Sequence, residues 1–188
     1  VKIDRSTLRV FKDDLIPSND GTQGAVKGIG RLNPNAPADS ALNPQREGNF
    51  YQLQPGIDYT IITPWLINDP SGIGLEIPVL KLTTRLNASD ILAVSYTDVS
   101  TPGSPVVVGL SSTEDFAAEN ATLGKPANAY LLKVLRPDVN DIHVDANGEF
   151  IQTDPWYPAI PYELRNWYDL RGRDISLETL DLAVRRIN

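Results

Sequence analysis

Short apolar runs separated by turns rich in proline, glycine, asparagine and aspartate recur along the whole chain. Residues 7–11 alternate apolar and polar side chains, and 59–63 follow the Gln54-Pro55-Gly56 turn. Residues 73–82 are apolar but for Pro78, 91–97 read as a mostly buried strand, and 106–110 follow Pro-Gly-Ser-Pro. Further strand-like runs lie at 129–135, 162–168 and 180–184. Short strands at this spacing predict a mainly β fold, an antiparallel sandwich or open barrel with long loops and little helix. Fifteen prolines and thirteen glycines leave few windows for an unbroken helix. The helix candidates are 112–119, where Ser112 or Thr113 can cap, and 177–186. In the second, the two-residue alternation of Leu180, Leu182 and Val184 outweighs the helix-start chemistry of Ser176 and Glu178, so a strand is expected.

Two stretches break the rhythm. Residues 18–48 show almost no apolar periodicity and are expected to be an irregular surface insertion, the best candidate for a contact loop. Residues 137–161 form the second, and within them Asn147-Gly148 between apolar flanks predicts a two-residue type I′ hairpin turn with positive φ at Gly148. The end of the chain also repeats its beginning. Ile3, Thr7 and Leu8 recur as Ile175, Thr179 and Leu180, and Val10 becomes Leu182. The expected organisation is one β-rich module over 1–188, with the opening of a following repeat unit at about 173–188.

Composition narrows the function classes. With 17 Lys and Arg against 24 Asp and Glu, the net charge of −7 argues against nucleic acid as a partner. Absence of cysteine removes disulfides, thiol catalysis and cysteine metal sites. No apolar stretch approaches the ~20 residues of a membrane helix, so this piece is not expected to span a bilayer as a helix. The chain holds no methionine and begins with Val1, as expected of a piece of a longer or processed polypeptide.

Several residues invite chemistry. His143, the one histidine, lies among Asp141, Asp145 and apolar residues, without a serine or cysteine nucleophile motif, and is read as structural. Asp138, Asn140, Asp141, Asp145, Asn147 and Glu149 have the oxygen-rich character that calcium favours, but not the EF-hand spacing; a plain acidic hairpin is expected, with calcium the alternative. Gly28-Ile29-Gly30 and Gly72-Ile73-Gly74 each match half of a dinucleotide fingerprint and are expected to be turns. Trp156, Tyr157, Tyr162, Trp167 and Tyr168 could form a sugar-stacking platform, although burial of one face is the simpler expectation. Asp58 and Glu76 are the carboxylates a glycosidase reading would pair, but no spacing fixes their separation. No catalytic residue, cofactor or metal ligand is assigned.

The phrases at 51–61 (YQLQPGIDYTI), 90–97 (DILAVSYT), 131–135 (LLKVL) and 162–170 (YELRNWYDL), followed by Asp174-Ile175-Ser176, resemble in their order one unit of the SprA/Sov family. These are giant outer-membrane proteins of the type 9 secretion system and of gliding motility in Bacteroidetes and their relatives. Residues 51–186 carry the resemblance; 18–48 match nothing in it, and the hairpin around Asn147 is a further departure. The glycine and strand after LRNWYDL correspond to Gly172 and 175–182, which would explain the terminal repeat as a hand-over between units. The resemblance implies a non-catalytic structural and interaction module of a translocon that passes folded cargo across the outer membrane. Its partners would be other units of the same polypeptide, secretion-system proteins or cargo, on the periplasmic or extracellular face. The lack of sustained lipid-facing alternation favours a water-facing module. The alternative is a carbohydrate-binding β-sandwich module of a secreted protein, possible calcium included.

Overall fold

The computed structural model describes residues 2–62, 79–110 and 129–162. Among the described residues are eight strands, β1 (Ile3–Asp13), β2 (Val26–Arg31), β3 (Gln45–Leu53), β4 (Tyr59–Ile62), β5 (Val79–Leu82), β6 (Ile91–Asp98), β7 (Val106–Val108) and β8 (Tyr130–Arg136). Among the described residues helix is confined to one turn, α1 (Asp20–Gln23), and two 3-10 segments, Val139–Asp141 and Tyr157–Tyr162. The fold is mainly β, as the turn rhythm predicts.

Five strands form a closed barrel. Their order is β1-β3-β2-β8-β6, and β6 pairs back onto β1, so the sheet has no beginning. Every pairing is antiparallel except β2 with β8, where Gly28 opposes Tyr130 and Gly30 opposes Leu132. β7 extends β6 beyond the end of β8, and β4 with β5 makes a separate two-stranded sheet.

A five-stranded barrel is too narrow for large side chains on every strand, so its lining alternates large with small. Phe11, Phe50, Ile91, Ala93, Leu132 and Val134 share one buried cluster, which Trp156 and Ala159 complete. Phe11 and Tyr130 meet with ring centroids 5.1 Å apart. The small partners are glycines. A Cβ on Gly28 would lie 2.7 Å from Cδ2 of Phe50, and one on Gly30 would lie 2.7 Å from Cγ2 of Val134. Burial of aromatic and aliphatic residues of this size is worth about 1.5–3 kcal/mol each, and here it requires bare backbone opposite them.

The outer wall has its own cores. Leu8 and Val10 of β1, Leu53 of β3, and Leu92 and Val94 of β6 point outward and are covered by Tyr59, Ile61, Leu80 and Leu82 of the β4–β5 pair. On the opposite side Ile29, Ala129 and Leu131 are buried with Leu110. Lys12 ties β1 to the start of β6 through Asp90, Nζ to Oδ2 2.7 Å, where the carboxylate is almost wholly buried.

Three expectations are corrected. Residues 18–48 are not an irregular insertion: they contain α1, all of β2 and the first residues of β3, and β2 is a central barrel strand buried from Gly28 to Arg31. Gly28-Ile29-Gly30 is accordingly strand, not turn, its glycines facing inward and Ile29 outward. Tyr162 ends a 3-10 segment and does not open a strand. The expected helix at 112–119, the strand at 180–184, Gly72-Ile73-Gly74, and most of the runs at 73–82 and 162–168 lie outside the described residues, as does the C-terminal copy of the terminal repeat.

Candidate functional site

The histidine is held by an acid, but that acid serves the fold. Asp154 is buried, and its Oδ2 accepts from the His143 backbone N–H at 2.8 Å and contacts ring Nδ1 at 2.7 Å. Its Oδ1 accepts from the Trp156 N–H at 2.8 Å. Burial pushes the Asp154 carboxyl up, but the amides of His143 and Trp156 and the His143 ring outweigh it and hold the carboxyl below the ordinary carboxylate range. Asp154 therefore fixes the turn that sets Trp156 into the barrel cluster. The His143 ring stands 72 % exposed beside it, and no serine or threonine hydroxyl among the described residues donates to that ring. Among the described residues the arrangement orients an imidazole without placing a hydroxyl nucleophile against it.

The acidic stretch divides into two groups with different partners. Asp138 is buried; its Oδ1 accepts from the Asn140 backbone and side-chain amides, each at 3.0 Å, and its Oδ2 lies 3.5 Å from Arg46. Both oxygens of Asp141 meet Nη1 of the same arginine, which reaches them from β3. Asp145 instead builds the turn, with Oδ1 accepting from the Asn147 N–H at 2.8 Å and the Glu149 N–H at 2.9 Å. Those amides hold its exposed carboxyl below the ordinary range. Among the described residues no three histidine or acidic side chains converge into a metal-binding group.

The hairpin itself differs from the expected geometry. Gly148 has φ 79°, as predicted, but Asn147 is not in the left-handed region, and type I′ needs both. The Gly148 N–H donates to the Asp145 carbonyl at 3.0 Å and the Asp145 N–H to Glu149 at 2.8 Å. The loop is therefore three residues long and closes through a glycine bulge, with Val144 and Phe150 forming one isolated bridge below it.

Other candidates disperse. Trp156 is 7 % exposed and belongs to the barrel cluster, so it offers no ring face to a sugar; Trp167 and Tyr168 lie outside the described residues. Asp58 accepts from the Gln54 N–H at 2.7 Å within the β3–β4 turn, and Glu76, its suggested partner, is outside the described residues. Gly28 and Gly30 face Phe50 and Val134 and cradle no phosphate.

A contact surface remains. The loop between β2 and β3 is locked by Asn43, whose Oδ1 accepts from the Asn33 N–H and whose Nδ2 donates to the carbonyls of Asn33, Ala36 and Pro37. Asp39 and Asn43 pair across its tip, and Asp39 Oδ1 accepts from the N–H groups of Ala41 and Leu42. This ordered tip presents Leu42 at 81 % exposure. Asn35 ties the same loop to edge strand β7, donating to the Val107 carbonyl at 2.8 Å, where Val106 and Val107 are also exposed. The Asn35 bond covers a carbonyl that would otherwise template another strand. The sequence placed a contact loop in this region; it did not reveal Asn43 or Asn35 as its fasteners, and the Asp39 turn was the one available signal.

No family model, curated protein or solved structure matches the chain.

Proposed function

We propose that this chain is a non-catalytic structural and interaction module of a large outer-membrane protein of the SprA/Sov kind, acting in type 9 protein secretion or gliding motility. The observation that carries the reading is where the resembling phrases fall. Residues 51–53 of the first phrase pair with β1, β1 pairs with the second phrase in β6, and β6 pairs with the third in β8. The second and third phrases are thus neighbouring staves, the first is joined to them through β1, and all three supply strands of one barrel. Residues 163–170 of the fourth phrase lie outside the described residues.

Two further features support an interaction role. The polar groups that invited chemistry are engaged in turns and ion pairs, while apolar side chains at Leu42, Val106 and Val107 are offered on ordered backbone. The module stands at the periplasmic or extracellular face and contacts other units of its polypeptide, secretion-system proteins or cargo. The carbohydrate-binding alternative loses Trp156 to the core. In-frame removal of residues 2–162 from the parent gene tests the proposal: secretion of folded cargo, or gliding, is expected to fail. Normal secretion and gliding from cells that accumulate the shortened parent protein would overturn it.

A further inference from the structure

We infer that Asn147 is a site of spontaneous deamidation whose rate is governed by the Asp145 turn. Asn147 is exposed and is followed by a glycine, which places no side chain in the way of its own backbone nitrogen. In the reaction the Gly148 nitrogen gives up its proton and attacks Cγ of Asn147. The Cγ–Nδ2 bond breaks, and ammonia leaves with that proton. One solvent water then opens the cyclic imide at either carbonyl, giving aspartate or isoaspartate; the net change is water in and ammonia out, with nothing oxidised or reduced.

The folded turn restrains the first step. The Gly148 N–H is committed to the Asp145 carbonyl at 3.0 Å, the Asn147 N–H to Asp145 Oδ1 at 2.8 Å, and the Asn147 side-chain amide lies 3.4 Å from Oδ2. Attack requires these bonds to open locally, so the rate follows the population of the open turn. The Val144–Phe150 bridge and the Ile151 N–H to His143 carbonyl bond support the turn from below, and within it the Asp145 carboxylate fastens the Asn147 and Glu149 amides. The product has consequences for the surface. A new carboxylate appears beside Asp145 and Glu149, and isoaspartate adds a carbon to the backbone of a loop that closes by a three-residue geometry.

The test is peptide mapping of the full chain aged in neutral buffer, following a gain of about 1 Da at Asn147 and the separation of aspartate from isoaspartate forms. The wild type, Asp145→Ala and the wild type in concentrated urea are compared, with circular dichroism showing that both buffered proteins stay folded. Conversion at Asn147 is expected to be slowest in the folded wild type, about fivefold faster in Asp145→Ala and fastest in urea. Equal rates in the two folded proteins, or no conversion at Asn147 in either, would overturn the inference.

Discussion

The Asp13 carboxylate occupies the space that a side chain on Gly48 would need. Asp13 ends β1 buried, its Oδ1 accepting from the Leu15 N–H at 2.8 Å and its Oδ2 from the Asn49 N–H at 3.2 Å. A Cβ on Gly48 would run into that Oδ2 far inside contact distance, with Cε2 of Phe50 close behind at 3.3 Å. The end of β1 thus sets a buried carboxylate against bare backbone of β3.

Gly48→Ala is therefore expected to destabilise the protein by about 1–3 kcal/mol, because the carboxylate cannot retreat without giving up two amide bonds. Gly21→Ala is the control, since nothing lies within 4 Å of its Cβ. Urea denaturation of the two variants checks this; equal midpoints would refute the fit.

Asp13 and Asp154 give opposite pH signatures. Burial raises the Asp13 carboxyl above its ordinary value of 3.8, the Leu15 and Asn49 amides oppose this, and the charges of Asp14 and Asp20 add to it. Its contribution to stability is full below the unfolded value and is lost as pH rises through the folded one. Asp154 is lowered, so its contribution is present above the unfolded value and is lost as pH falls through the folded one. Between about pH 3 and about pH 7, the melting temperature of Asp13→Asn relative to wild type should rise, and that of Asp154→Asn should fall. Movement of both in one direction would contradict the assignment.

Gly148→Val is expected to cost about 1 kcal/mol or more, through backbone strain alone. Gly148 has φ 79° and open space around it, so no clash contributes. Thermal melting decides; an unchanged midpoint would mean that the turn does not need its left-handed residue.

What could be read from the sequence was where side chains report burial. The β6 run is apolar on both faces because its inner residues fill the barrel and its outer ones lie under the β4–β5 pair. β2 was illegible for the complementary reason. Its inward positions are Gly28 and Gly30, which punctuate a hydrophobicity pattern as turns do, and only the bulk of Phe50 and Val134 across the barrel makes them strand residues. Val106 and Val107 belong to an apolar run yet lie exposed, since a three-residue edge strand buries little whatever its composition. The ties from Asn35 to Val107 and from Arg46 to Asp141 join residues 72 and 95 positions apart, and no local pattern announces such pairs.

The proposal that this barrel is one module of a giant outer-membrane protein is tested most directly by cell fractionation. An antibody raised against residues 2–162 is used to probe cytoplasmic, periplasmic and outer-membrane fractions of the native cell. The expected result is a polypeptide many times larger than the 20.6 kDa of this chain, enriched in the outer membrane. A band near 20.6 kDa, or one confined to the cytoplasmic fraction, would contradict the proposal.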